Sequence, residues 1–272
     1  MRPAEIKAIL APLSLTPTKG RGQNFLTDDL VAEKEVDYLG IEDGDAVLEV
    51  GPGLGVLTDK LVKAPVSLKA IELDDALVPY LRKRFPDKVD IVHGDALSIE
   101  WPRFDRFISN VPYSISSPLI FKLLDHDFKQ AVVMVQKEFA DRMGAKADTD
   151  DYGRLSVGVY YRAECEPLDI VKRNCFWPEP EVDSRIVRLT RRPAPFSIRD
   201  ERLFFKLVEM LFAQRRKKIS TVLKRSHLMD GMEVSALPHI DKRVEALSPE
   251  EIGELADAIY DARAEHKGRR TA

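Results

Sequence analysis

Two short segments of this chain hold residue types whose spacing suits chemistry. The first is Glu49-Val50-Gly51-Pro52-Gly53-Leu54-Gly55, in which three glycines alternate with other residues. Glycines at a strand-to-helix crossing let the backbone turn tightly and approach a ligand closely. The spacing is G-x-G-x-G, not the G-x-G-x-x-G of dinucleotide sites, and Glu49 just before it would repel a phosphate. A zwitterionic amino-acid group joined to a sulfonium suits the loop better. Glu72 lies 21 residues after Gly51, at the end of a strand pattern, where an acid can accept from both hydroxyls of a ribose. Asp95, in His93-Gly94-Asp95-Ala96, follows the next strand pattern and could accept from an adenine amine of the same ligand. Taken singly, these are a tight turn and two solvated strand ends. At successive strand ends they describe one site for a nucleoside-linked methyl donor.

The second segment is Asn110-Val111-Pro112-Tyr113. An exocyclic adenine amine is a poor nucleophile because its lone pair is delocalised into the ring. Two acceptors on its hydrogens favour a pyramidal nitrogen with the lone pair directed at the methyl group. The Asn110 side-chain oxygen and a backbone carbonyl, expected to be that of Pro112, would be those acceptors. Proline fixes the local backbone, and Tyr113 could stack on a base turned out of its helix. In isolation an Asn-x-Pro sequence is an ordinary turn. Its place after a fourth strand, at the edge where α/β proteins bind ligands, favours chemistry.

The positioning elements follow from periodicity. Strand patterns occupy Ala46–Val50, Val66–Glu72, Val89–Val92, Phe104–Ser109 and Ala131–Val135. Between them Leu54–Lys63, Asp75–Phe85, Ser117–Asp125 and Lys137–Met143 read as helices. Alternation of this kind predicts a Rossmann-like, mostly parallel α/β sheet covered on both faces. Glu164–Val171 and Val182–Thr190 predict a late antiparallel edge. After Arg191-Arg192-Pro193-Ala194-Pro195 only helices follow, over Arg199–Ala213, Lys217–Arg225 and Pro249–Ala264. The last opens on Ser248-Pro249-Glu250-Glu251, a capping box with proline at the first turn. We therefore expect a donor-binding domain over 1–192 and a small all-α domain over 193–272, ending in an unstructured Lys267-Gly268-Arg269-Arg270.

The net charge of −3 is unevenly spread. Between Arg185 and Arg225 there are 13 Lys and Arg against 3 Asp and Glu, a net +10, which leaves −13 for the rest. Such polarity suits a protein that meets a polyanion with one face. At 44% hydrophobic residues the chain can bury a sizeable core, and two cysteines make neither a disulfide framework nor a zinc site. No run approaches ~18 apolar residues, and the start Met1-Arg2-Pro3 is not that of a signal peptide. The expectation is a cytoplasmic monomer with no membrane partner and no metal.

The chain resembles the small-subunit ribosomal RNA adenine dimethyltransferase family. The resemblance runs from Lys19 to Tyr260 and rests on Gly22-Gln23-Asn24-Phe25-Leu26, the Glu49–Gly55 loop, Glu72, Gly94-Asp95-Ala96-Leu97 and Asn110–Tyr113. Phe176-Trp177-Pro178-Glu179-Pro180-Glu181-Val182-Asp183-Ser184 and Phe212-Ala213-Gln214-Arg215-Arg216-Lys217-Lys218 extend it. Ser114-Ile115-Ser116-Ser117-Pro118 and Phe121-Lys122-Leu123-Leu124 look closer to the archaeal and eukaryotic branch than to the bacterial one, and the compact C-terminal domain favours the archaeal side. The resemblance implies a class I methyltransferase fold and S-adenosylmethionine as donor. It also implies N6,N6-dimethylation of two adjacent adenosines near the 3′ end of the small-subunit RNA during ribosome assembly. By the same route Gln23, Asn24, Leu26, Gly51, Gly53, Glu72, Leu73, Asp95, Ala96 and Asn110 would hold the donor. Asn110, Pro112, Tyr113 and Phe176 would hold the base, Phe176 facing Tyr113 across it. Arg191, Arg192, Arg215, Arg216, Lys217 and Lys218 would grip the RNA backbone, and the last four would do so at a helix start, where the macrodipole disfavours cations.

Other readings stand beside this one. A large-subunit adenine methyltransferase of the resistance type would share both loops. An assembly factor that had lost catalysis would not need Glu72 and Asn110–Tyr113 intact. Glutamine and DNA-adenine methyltransferases usually have a second proline where this chain has Val111. The glycine spacing disfavours an NAD enzyme.

Overall fold

The computed structural model describes residues 1–15, 24–229 and 232–271, with the backbone alone for 267–271. By contacts the chain divides into two units. One comprises Met1–Ala140 and Glu164–Arg191, and the other Asp141–Ala163 and Arg192–Ala272.

The first unit is built on a seven-stranded sheet. Strands β2 (Ala46–Val50), β3 (Ser67–Glu72), β4 (Asp90–His93), β5 (Arg106–Asn110) and β6 (Gln130–Gln136) lie among helices α3 (Thr58–Leu61), α4 (Leu77–Arg84) and α5 (Ser116–Leu124). With β7 (Ala163–Val171) and β9 (Ser184–Arg191) the spatial order is β4-β3-β2-β5-β6-β9-β7. The first five run parallel, and β9 returns antiparallel along β6 from Gln130↔Thr190 to Gln136↔Ser184. Strand β5 is mostly buried and β2 is buried from Val47 to Val50, the signature of strands covered on both faces.

Strand order reverses between β2 and β5, which pair with Glu49 opposite Ile108. The crevice at the carboxyl ends of such neighbours is where open α/β sheets bind ligands. Here it falls between the Gly51 loop and Asn110. Three hydrogen bonds fix the strand ends. Ser109 Oγ donates to the Val50 carbonyl (2.7 Å), Gly51 N–H to Ile71 (2.9 Å) and Gly94 N–H to Glu72 (2.9 Å).

Three elements ahead of the sheet were not expected from periodicity: α1 (Pro3–Leu10), the two-residue β1 (Phe25–Leu26) and α2 (Asp29–Tyr38). Strand β1 pairs antiparallel with β8 (Phe176–Trp177), setting Leu26 opposite Phe176 and Phe25 opposite Trp177. Helix α2 is capped by Asp28, whose Oδ1 accepts from Leu30 N–H (2.9 Å) and Val31 N–H (3.3 Å).

The second unit packs α7 (Arg154–Arg162), α8 (Glu201–Phe212), α9 (Ile219–Lys224) and α10 (Pro249–Thr271) around Tyr152, Phe204, Leu207, Leu255 and Ile259. Its capping box forms as expected: Glu251 N–H donates to Ser248 Oγ (3.2 Å) and Ser248 N–H to Glu251 Oε2 (2.9 Å).

Four expectations are corrected. The division is not a single cut near Pro193, because Asp141–Ala163, which holds α7, packs with the C-terminal helices. The helix expected over Leu54–Lys63 shortens to Thr58–Leu61, since the glycine loop holds its first residues in a turn. The helix expected over Lys217–Arg225 shortens to Ile219–Lys224, so Arg215–Lys217 lie in the α8–α9 turn and only Lys218 of the basic run stands at the helix start, as its N-cap. Positions 267–270 continue α10. Among the described residues no helix is long and apolar enough to cross a membrane.

Candidate active site

At the switch point lies a cavity of about 790 Å³. Its walls include Asn24, Leu26, Gly51, Gly53, Glu72, Leu73, Asp95, Ala96, Asn110, Pro112, Tyr113 and Phe176. Every sequence-chosen donor and acceptor residue lines this one space except Gln23, which lies outside the described residues.

The glycine loop holds its shape through backbone freedom. Gly51 has φ +71°, and among the described residues a Cβ there would meet nothing within 4 Å. Its backbone is therefore open to a ligand at a conformation other residues resist. Gly55, at φ +80°, serves packing, because a Cβ there would come within 2.6 Å of the Phe85 ring.

Glu72 closes β3 and is buried. Its Oε2 accepts from Gly53 N–H (3.1 Å) and its Oε1 from Asp74 N–H (2.9 Å). Burial raises its pKa against those hydrogen bonds. Beside it Leu73 is 64% exposed, an apolar side chain left uncovered on the cavity wall. Asp95 accepts from Leu97 N–H (2.8 Å) and Ser98 Oγ (2.9 Å), so it caps its own turn. Lys122 braces that turn by donating to the carbonyls of Ala96 (2.9 Å), Leu97 (3.2 Å) and Ile99 (2.5 Å).

From sequence Glu49 shows only a charge that would repel phosphate. It is fully buried on β2 and lines the cavity. Its Oε2 accepts from Thr58 Oγ1 (2.7 Å), while Oε1 is buried with no hydrogen-bond partner among the described residues. Burial, helped by the nearby Glu72 and Asp59 charges, pushes its pKa up to about 8.

Asn110 is the last residue of β5. An ionised Glu35 only accepts hydrogen bonds, and against it the amide nitrogen of Asn110 faces the carboxylate, donating to Oε2 (2.6 Å) and Oε1 (3.3 Å). Pro112 holds φ −56° and ψ 129°, as proline must. Its carbonyl, the expected substrate acceptor, instead accepts from Ile115 N–H (3.0 Å) and Ser116 Oγ (3.4 Å). Both lone pairs are thus engaged in the turn that follows. The carbonyl of Val111 accepts from no residue among those described. Tyr113 is half-buried, its hydroxyl 2.9 Å from Ser184 Oγ.

The sequence reading missed Glu35, Ser184 and Lys122. An acid in Glu33-Lys34-Glu35 reads as a solvated helix face, and nothing local marks it as buried.

Among the basic residues, Arg216, Lys217 and Lys218 are exposed in the α8–α9 turn. Arg215 is half-buried and committed within its unit, donating to Glu245 Oε2 and the Asp150 carbonyl (2.9 Å each). Arg191 donates to the Leu124 carbonyl (2.9 Å) and Arg192 to that of Tyr160 (2.8 Å).

Comparison with known proteins agrees with this arrangement. The profile of the family described as "Ribosomal RNA adenine dimethylase" matches residues 18–261. The chain is 42% identical over 262 residues to a "Probable ribosomal RNA small subunit methyltransferase A" of Thermococcus gammatolerans, covering 93% of each. A Pyrococcus furiosus protein of the same name is 42% identical over 263 residues, covering 92% of this chain and 94% of its own. These sources are archaeal, as the sequence reading expected. A dimethyladenosine transferase of Plasmodium falciparum superposes with TM-score 0.74 at 29% identity, over 85% of this chain and 95% of that one. The 23S rRNA methyltransferase ErmE superposes with TM-score 0.62 at 28% identity, over 87% of this chain and 100% of that one. The chain belongs to the ribosomal RNA adenine dimethylase family, and with it to the S-adenosylmethionine-dependent methyltransferases.

Proposed function

We propose that this enzyme dimethylates N6 of two adjacent adenosines near the 3′ end of small-subunit ribosomal RNA, within the assembling subunit. The observation that carries this reading is the single cavity shared by the Gly51–Glu72–Asp95 wall and the Asn110–Tyr113 wall.

The residues present fit S-adenosylmethionine. The unpartnered Glu49 Oε1 is a buried acceptor suited to an ammonium, and the open backbone at Gly51 leaves room for the amino-acid end. Glu72 suits the ribose hydroxyls, each carboxylate oxygen keeping a second lone pair beyond its backbone bond. Leu73 offers an apolar face to the adenine ring, and Asp95 an acceptor for its amine. Asn24, Leu26, Gly53 and Ala96 complete the wall. When bound, the donor supplies a methyl group on a cationic sulfur that departs as a neutral thioether.

The remaining work falls to this chain. Asn110 Oδ1 and the Val111 carbonyl accept from the two hydrogens of the target amine, which draws the nitrogen lone pair out of conjugation. Val111 replaces Pro112 in that role because the Pro112 carbonyl is engaged, while Pro112 itself fixes the backbone. Tyr113 and Phe176 line the cavity with aromatic faces for the flipped base, worth ~1–3 kcal/mol for each base stacked. Arg216, Lys217 and Lys218 contact RNA phosphates, and Arg191, Arg192 and Arg215 chiefly hold the protein that presents them.

The test supplies labelled donor to unmethylated small and large ribosomal subunits and maps the product. Label on N6 of two neighbouring small-subunit adenines is expected. Label on a large-subunit adenine would favour instead the activity in ErmE's name, and no label on any N6 would overturn the reading.

A further inference from the structure

Glu35 sits where a carboxylate is costly. It lies on α2 at 0% exposure, one turn after the buried Ala32, on the face that packs inward. Desolvation raises its pKa well above the ordinary value, and the Glu49 charge on β2 adds to that. A leucine there would serve packing better, since buried charges are commonly matched or bettered in stability by apolar residues of similar size. Among the described residues its hydrogen-bond partner is the Asn110 amide, at 2.6 Å and 3.3 Å. The carboxylate therefore stabilises one orientation of one side chain.

That orientation matters because an asparagine amide has two unlike ends. Turned one way, Asn110 presents an acceptor to the cavity; turned by 180° it presents two N–H donors. The target amine has hydrogens to give and a lone pair that must be left free for the methyl group. A donor facing it would repel the hydrogens or compete for the lone pair. In its ionised form Glu35 excludes the wrong orientation, because Oδ1 against a carboxylate sets two acceptors together, and the Asn110 N–H bond opposes the desolvation that raises its pKa.

From this we infer that Glu35 is a positioning residue for methyl transfer, fixing the Asn110 amide with its oxygen toward the target amine. The inference rests on the reading of Asn110 as the amine's acceptor. Glu35 is not among the residues that line the cavity, so it acts through Asn110.

The test compares Glu35→Leu, Glu35→Gln and Asn110→Ala with the native enzyme. Each is assayed for kcat on unmethylated small subunits, for Kd of S-adenosylhomocysteine, and for Tm. Glu35→Leu is expected to keep or raise Tm, to leave Kd within about threefold, and to lower kcat by about tenfold or more. Glu35→Gln retains an acceptor for the Asn110 amide, though not an acceptor alone, and is expected to fall between native and Glu35→Leu. A structural role would move Tm in Glu35→Leu and leave kcat alone. The inference is overturned if Glu35→Leu folds, binds S-adenosylhomocysteine and turns over at the native rate, or if Glu35→Gln is no better than Glu35→Leu. Asn110→Ala separates the two readings. Loss of kcat there with native turnover in Glu35→Leu removes only the role of Glu35, whereas native kcat in Asn110→Ala removes both.

Discussion

The hydroxyl of Tyr113 meets Ser184 Oγ at 2.9 Å, joining the loop after β5 to the first residue of β9, 71 residues further along. The contact fixes the ring at the cavity wall from its far end, and it separates two contributions that one substitution would confound. Tyr113→Ala removes the ring, and kcat/KM for the subunit is expected to fall by about ten- to a hundredfold with donor Kd unchanged. Tyr113→Phe and Ser184→Ala keep the ring and lose only its tether, so both are expected to fall by less than about tenfold. Steady-state kinetics and calorimetry on the three variants check the order. Equal losses in all three would show that the hydroxyl, and not the ring face, carries the effect.

Glu49 makes donor binding a proton-releasing event. With its pKa near 8 the carboxyl is mostly protonated at pH 7, while the donor's amine is mostly charged. An ammonium at Oε1 favours the ionised carboxylate, so binding at pH 7 should release about one proton. Calorimetry in buffers of different ionisation enthalpy measures that number, and Glu49→Gln should reduce it to near zero.

The same group sets a pH dependence of stability with no ligand bound. Its folded pKa lies above the ordinary carboxyl value of 4.5, so the folded state binds the extra proton and the unfolded state gives it up. Stability is therefore expected to fall as pH rises from about 5 to about 8. Glu35 and Glu72 are raised too and act with the same sign. Tm measured across this range should slope downward, less steeply in Glu49→Gln; an upward slope would contradict the burial of all three.

Glu72 supports the donor site and the loop that frames it. Glu72→Ala removes the acceptor for Gly53 N–H and Asp74 N–H together. Donor Kd is expected to weaken by about ten- to a hundredfold, as for hydrogen bonds to a charged group. Titration calorimetry with S-adenosylhomocysteine measures it, and a Kd within twofold of native would remove Glu72 from the donor site.

The basic turn divides by burial. Arg216→Ala, Lys217→Ala and Lys218→Ala are each expected to lower the slope of log K against log salt by about one, without loss of Tm. Arg215→Ala breaks bonds to Glu245 and Asp150, and should lower Tm more than it changes the slope. Binding to small subunits at several salt concentrations, beside thermal melts, distinguishes them.

The sheet was legible because fully buried strands and the Gly51 turn leave local signals. Glu72, Asp95 and Asn110 were legible because each closes a strand, a position that chain order alone supplies. Glu35 was not, since burial of a carboxylate on a charged-looking helix is decided by what packs over it. The same holds for α7, whose Leu155-Ser156-Val157-Gly158-Val159-Tyr160-Tyr161 mixes β-branched, aromatic and glycine residues that disfavour helix. Packing against α8 and α10 overrides that preference. The commitment of the Pro112 carbonyl is likewise a property of the turn after it, formed by Ile115 and Ser116.

Leu26 and Phe176 are register partners in a ribbon of two residues a side, and Thr27 ties its end through N–H (2.7 Å) and Oγ1 (2.8 Å) to the Cys175 carbonyl. Hydrogen-bonded partners across such a ribbon share their displacements. Leu26, on the donor side of the cavity wall, is thus tied in register to Phe176, the aromatic proposed to face the target base. On the proposed reading, a change at the donor side of the cavity would then be felt at the base side, in an enzyme that methylates the same nitrogen twice.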